Sequence, residues 1–157
     1  MRDLVRMDDA EVAEFLAANL RARVSTVRKD GSPHVVPVTY VLLDGDLAFW
    51  ADNISQKMAN LRRDPRIAAV VDDGVEFQEL RGVELSGTAD LTTEDVTNDR
   101  IADLFAAKAP EEHRVAAKQM LLSLATERTA VIVRPARVAS WDHRKLAGGA
   151  RPQDLGH

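Results

Sequence analysis

Residues 23–51, RVSTVRKDGSPHVVPVTYVLLDGDLAFWA, constrain the fold more than any other part of the chain. β-Branched and apolar runs alternate there with compact turn sequences, KDGS and DGD. Asp44-Gly45 between two apolar runs is a strong hairpin signal, because type I′ turns need positive φ at both central residues. The segment therefore reads as three successive antiparallel strands: RVSTVR, HVVPVTYVLL and LAFWA. Further on, RIAAVV, EFQELRGVELSGTADL and TAVIVRPARVASW supply three more, with Pro135 assigned to a bulge or an edge because it donates no ladder hydrogen bond.

Helical patterns are few and short. Asp8 and Glu11 have capping-box spacing, followed by Val12, Phe15, Leu16 and Leu20 on one helical face. Residues 55–63 form a short helix that ends at Asp64-Pro65, since the residue before a proline is pushed out of the α region. Thr93 is placed to cap a helix reaching Phe105, and Pro110 to open another carrying Val115, Met120, Leu121 and Leu124. Six hairpin-connected strands with few helices predict a mainly β fold, a six-stranded antiparallel barrel and not a doubly wound α/β sheet. At 157 residues and 45% hydrophobic, the chain supports one domain, expected over 1–146. A polar, Gly- and Pro-containing flexible tail is expected over 147–157.

Composition removes several function classes. Lys+Arg 21 against Asp+Glu 25 gives a net charge of -4, which argues against a nucleic-acid partner. With no cysteine there is no disulfide, thiolate metal site or Cys nucleophile. His34, His113, His143 and His157 lack ligand spacing, so no metal is expected. No nucleophile elbow surrounds any serine, and no dinucleotide-binding or P-loop glycine pattern occurs. Glu76 and Glu79 are better read as solvated strand-edge carboxylates than as a glycosidase pair. Lacking an apolar leader or a run near the ~20 residues of a membrane span, the chain is expected to be soluble and cytoplasmic, without a membrane partner.

What remains is FWADNISQKM, where a strand end runs into a helix whose first turn holds Ser55 and Lys57. A cation there opposes the helix dipole unless an anion sits beside it. Trp50 places a flat apolar surface next to the same turn, in a chain with only 4% aromatics, so a ring bearing a phosphate fits both features. A core Trp50, an N-capping Ser55 and a solvated Lys57 account for the same residues. Arg62, Arg63 and Arg66, near the helix end, likewise suit either an anion or the dipole alone.

The ordered set ARVSTVRKDGSPHVVPVTYVLLDGDLAFWAD, SQKMANLRRDPRIAAVV, RGVELSGTADL and RVASWD resembles the split β-barrel flavin-binding family that includes pyridoxamine 5'-phosphate oxidase. The closer likeness is to its deazaflavin branch, the F420-dependent reductases, over residues 12–141. The resemblance implies a homodimer with cofactors at the subunit interface and a small-molecule substrate. It implicates Trp50, Ala51, Ser55, Gln56 and Lys57 at the ring and phosphate, and Val36, Pro37, Val38 and Thr39 along the ring. Arg62 and Arg63, in a looser ring with Arg66 and with Arg28 or Lys29, are assigned to the cofactor's acidic tail, and the resemblance has Trp141 approach the ring from the partner subunit. FMN-using oxidases of the family carry Arg and Lys where this chain has Val35 and Tyr40, and Gln where it has Gly82. These departures favour F420, with FMN the alternative and haem a more distant one. The implied activity is hydride transfer to an activated double bond or quinone-like acceptor. No catalytic side chain is assigned beyond Tyr40, a weak candidate proton donor. An FMN-dependent oxidoreductase and a non-catalytic F420, haem or tetrapyrrole carrier are the rival expectations.

Overall fold

Asp44 and Gly45 adopt φ of 53° and 87°, as the hairpin pattern requires, and Leu43 faces Asp46 across the turn. A computed structural model describes residues 1–148 of the chain; the expected tail beyond Gly148 lies outside the described residues. Seven strands form one antiparallel sheet: β1 (Arg21–Val27), β2 (Pro33–Thr39), β3 (Val41–Leu43), β4 (Asp46–Asp52), β5 (Arg66–Asp73), β6 (Arg81–Thr92) and β7 (Arg128–Asp142). Their spatial order is β2-β1-β5-β6-β7-β4-β3.

The count is seven and not six because HVVPVTYVLL breaks at Tyr40 into β2 and β3. Tyr40 spends its backbone groups off the ladder: its N–H donates to the Leu20 carbonyl (3.1 Å) and its carbonyl accepts from Lys108 Nζ (2.9 Å). Its ring is 1% exposed and its hydroxyl donates to the Leu16 carbonyl (2.5 Å). β2 and β3 stand at opposite ends of the sheet, yet one residue joins them. The sheet must therefore curl until its two ends meet at Tyr40, giving a barrel split between β2 and β3. The other long run is also shorter than the sequence suggests, since Phe77–Glu79 is a 3-10 turn and β6 starts at Arg81.

β7 pairs with β4 at its start and with β6 along most of its length. Pro135 faces Gly87 at a register shift, the bulge expected of a proline in a long strand. A Cβ at Gly87 would lie 2.1 Å from the Arg134 carbonyl oxygen, so only glycine admits this close approach.

Five helices accompany the sheet among the described residues: α1 (Arg2–Val5), α2 (Asp9–Ala18), α3 (Gln56–Arg63), α4 (Asp95–Ala106) and α5 (Arg114–Ala125). The Asp8/Glu11 capping box is present in both directions, at 2.8 Å each way. Phe15 and Leu16 of α2 are buried against the main core, whereas Leu20 lies beyond the helix and is exposed. α4 starts after Glu94, so Thr93 is not its cap. Two apolar clusters result. The larger fills the curl of the sheet with Val24, Tyr40, Phe49, Met58, Val71, Val83 and Val131 among its members. The smaller lies on the other face of β3, β4 and β7, where Ile101 of α4 packs on Val41, Leu43, Ala48, Ala130 and Ile132. α5 presents Val115, Met120 and Leu124 outward, uncovered within one chain.

Candidate cofactor site

β4 alternates its side chains across the sheet. Phe49 and Ala51 enter the main core, and Trp50 points to the opposite face, beside α4. There the indole Nε1 donates to Asn98 Oδ1 (2.9 Å), and the ring tilts against Phe105 at a centroid distance of 5.6 Å. A cleft of about 370 Å³ opens in front of this aromatic pair, lined by Pro37, Val38, Thr39, Trp50, Asp52, Lys57, Phe105, Leu121 and Arg128. Five of the residues named from sequence thus converge: Pro37, Val38, Thr39, Trp50 and Lys57.

Lys57 occupies the first turn of α3 and makes no hydrogen bond or ion pair among the described residues. Leaving a cation there costs about 0.3–1 kcal/mol, whereas a hydrogen bond to a charged partner is worth about 1.5–3 kcal/mol. An anion in the cleft reverses the sign of that balance. Arg128 lines the same cleft from the start of β7, held by Asp52 through an Nε–Oδ1 contact of 3.3 Å. A larger cavity of about 840 Å³, between the start of α4 and the end of α5, lies on the other side of Arg128.

The remaining candidates have other tasks in the chain. Ser55 caps α3: its hydroxyl donates to the Asp52 carbonyl (2.7 Å) and accepts from the Met58 N–H (3.4 Å). Gln56 Nε2 donates to Asn60 Oδ1 (2.8 Å), and Asn60, fully buried, donates to Thr26 Oγ1 (3.0 Å). Arg62 donates to the Asn53 carbonyl (2.8 Å) and Arg63 to the Val27 carbonyl (2.7 Å). Both guanidiniums are exposed, but each ties α3 to a neighbouring segment. Ala51 is 1% exposed in the main core, and Val36 packs against that core. Tyr40, the weak proton-donor candidate, does not face the cleft; burial pushes its phenol up to about 12. Trp141 pairs with Gly82 at the far end of β7 from Arg128, so one chain does not bring it to the cleft.

Sequence reasoning missed Asp52, Phe105, Leu121 and Arg128: Phe105 and Leu121 reach the cleft on α4 and α5, and Arg128 through the pairing of β7 with β4, where it faces Asp52. His34 is half-buried, an imidazole outside any ligand set as its spacing suggests. Its Nδ1 is buried without a partner among the described residues, and burial, followed by the charges of Arg28 and Lys57, holds the imidazole below its ordinary value of 6.5. The unfolded chain takes up that proton first. The stabilising contribution of neutral His34 is therefore complete above about pH 6.5 and lost as the pH falls through the folded-state value. Thermal melts of the ligand-free protein between pH 5 and 8 are expected to show this acid loss, and His34→Gln to reduce it. Identical profiles for the two proteins would remove His34 from the account.

The sequence pattern of the pyridoxamine 5'-phosphate oxidase family matches residues 8–142, and the chain belongs to that family. Its structure resembles that of a conserved hypothetical protein from Mycobacterium tuberculosis, with 30% identity, a TM-score of 0.85, and coverage of 100% of this chain and 97% of the other. An FAD-binding protein from Mesorhizobium loti matches at 22% identity and TM-score 0.61, covering 85% and 94% of the two chains. The heme storage protein of Vibrio cholerae matches at 12% and 0.68, covering 84% and 94%. At those identities the last two establish the fold alone. No curated protein sequence matches the chain.

The residues present fit a planar ring carrying one anionic group. At the two positions where the resemblance expects cations in FMN oxidases, Val35 is exposed and uncharged and Tyr40 is buried. At Gly82, where it expects Gln, a Cβ would stand 2.1 Å from the Trp141 ring, so a longer side chain fits only by displacing that indole.

Proposed function

We propose that this chain is an F420-dependent reductase, working as a homodimer, that passes a hydride to an activated double bond or quinone-like acceptor. The observation that carries the proposal is the uncommitted Lys57 ammonium beside the Trp50–Phe105 wall, with no further cation at positions 35 and 40. A phosphate monoester such as that of FMN carries about -1.5 to -2 at neutral pH and calls for several charge-assisted partners. A phosphodiester carries a single charge, which one Lys and the free N–H groups at the start of α3 can meet. Arg128 joins Arg62 and Arg63 as a cation available to an acidic tail, and it is the one of the three that lines the cleft.

When bound, reduced deazaflavin supplies the hydride. The protein's part is placement. Trp50 and Phe105 present an apolar surface, and Pro37, Val38 and Thr39 line the same cleft, so these residues would hold and orient a ring bound there. With Tyr40 committed to Leu16, the proton that completes the reduction comes from solvent. Titration of the purified protein with F420, FMN and haem, followed by fluorescence quenching or absorbance, tests the assignment. Preferential F420 binding with acceptor reduction supports it; preferential FMN binding replaces it with a flavin oxidoreductase; and tight binding without turnover replaces it with a carrier.

The dimer is supported by what one chain leaves uncovered. Val115, Met120 and Leu124 of α5 are exposed, and Ile54, in the turn before α3, is 99% exposed. Sedimentation is expected to give a species of twice the 17.3 kDa chain mass. Trp141→Ala is expected to weaken cofactor binding although Trp141 lies far from Lys57 within one chain. A monomer binding cofactor at full affinity would overturn the shared site.

A further inference from the structure

Asn98 is a polar side chain in an apolar place. It lies in the first half of α4, 8% exposed, on the helix that delivers Ile101 and Phe105 to the smaller apolar cluster. Burying an amide without a partner costs about 1–3 kcal/mol, and Asn is a weak helix former, so neither packing nor helix propensity selects it. Both ends of the amide are nevertheless used. Oδ1 accepts from Trp50 Nε1 at 2.9 Å, and Nδ2 donates to the Thr93 carbonyl at 3.4 Å. The second bond fixes which end of the amide faces the indole.

An indole on a strand is otherwise free to choose among rotamers and to rock about its second torsion. Here its N–H is held by Asn98 while its ring meets Phe105 at an interplanar angle of 33°. Both contacts come from α4. Asn98 does not line the cleft itself; it lines the larger cavity behind it, and Trp50 is the element common to its hydrogen bond and to the cleft wall.

We infer that Asn98 is a positioning residue: its hydrogen bond to Trp50 Nε1 fixes the plane of the indole and so sets the shape of the cleft wall that Trp50 forms. This rests on the proposal that the cleft takes a planar ring. The consequence is that the fit of a flat ligand against Trp50 is governed by a residue that touches no ligand.

The test reads the indole and the ligand separately. In a 15N-labelled protein the two tryptophan indole resonances are assigned with Trp141→Phe, and hydrogen exchange of the Trp50 N–H is measured. Asn98→Leu, which fills the space but accepts no hydrogen bond, is expected to speed that exchange and to weaken F420 and FMN binding about five- to tenfold, the value of one lost hydrogen bond. Asn98→Asp keeps an acceptor at the same reach and is expected to restore both. A merely structural role would lower the melting temperature without this pattern of rescue. Parent-like indole exchange in Asn98→Leu overturns the inference, as does faster exchange with unchanged affinity. If the parent binds neither F420 nor FMN, the proposed function fails instead; the Asn98 inference is then judged by exchange alone, upheld by acceleration in Leu with restoration in Asp and overturned by its absence. Should Asn98→Leu not fold, Asn98→Ala takes its place.

Discussion

Lys57→Ala is expected to weaken cofactor affinity by about 1.5–3 kcal/mol, roughly ten- to 150-fold, as for the loss of a hydrogen bond to a charged group. Titration calorimetry or fluorescence quenching measures it directly. The folded state should not suffer, because Lys57 has no partner to lose among the described residues and opposes the dipole of α3. Removing it is expected to leave stability within about 0.5 kcal/mol of the parent, the usual range for a surface substitution. This separation of affinity from stability is the signature of a binding residue. An unchanged dissociation constant would take Lys57 out of the site and the phosphate assignment with it.

Tyr40 is expected to behave in the opposite way. Tyr40→Ala empties a fully buried aromatic position and is expected to cost about 3–5 kcal/mol, enough to lower the melting temperature by roughly 6–20 °C in a chain of this size. Tyr40→Phe removes only the hydroxyl that meets the Leu16 carbonyl and is expected to cost about 1–3 kcal/mol. Cofactor affinity of the Phe variant should match the parent, because the phenol faces the core. Since burial raises the phenol from 10.0 to about 12, the unfolded chain ionises first, and Tyr40 also contributes a loss of stability that begins near pH 10. Thermal melts of the parent and both variants from neutral to alkaline pH, with a titration of the Phe variant, check all four expectations. Loss of activity in Tyr40→Phe at unchanged affinity would return Tyr40 to the list of proton donors.

The hairpins, the capping box and the helix after Ser55 were legible because each is written in neighbouring residues. Asp44-Gly45 dictates its turn, and Asp8 and Glu11 bond across three positions. The break at Tyr40 was not legible. No turn residue interrupts the chain from Val38 through Leu43, and only the pairing of β2 with β1 and of β3 with β4 reveals two strands. The same division governs the site. Trp50 and Lys57 are adjacent along the chain and were found together. Phe105, Leu121 and Arg128 arrive through long-range packing, which leaves no local pattern. Arg62 and Arg63 show the same limit, since a cluster of cations in sequence carries no sign that its hydrogen bonds run to the Asn53 and Val27 carbonyls.

α4 and α5 together form one excursion between β6 and β7, two strands that pair with each other along nearly the whole of β6. The ladder is complete without the excursion, and lengthening a connection costs only about 0.6 kcal/mol per doubling of its length. Besides Ile101, which covers the smaller apolar cluster, this excursion carries Phe105, Leu121 and Asn98, which furnish or support one wall of the cleft. The turn that places Lys57 and the Pro37, Val38 and Thr39 edge are attached to the barrel itself. Positions of the excursion that face the cleft can therefore change to admit a different molecule, so long as Ile101 still covers the smaller apolar cluster. Divergence in substrate choice among barrels of this kind should be concentrated between their last two strands.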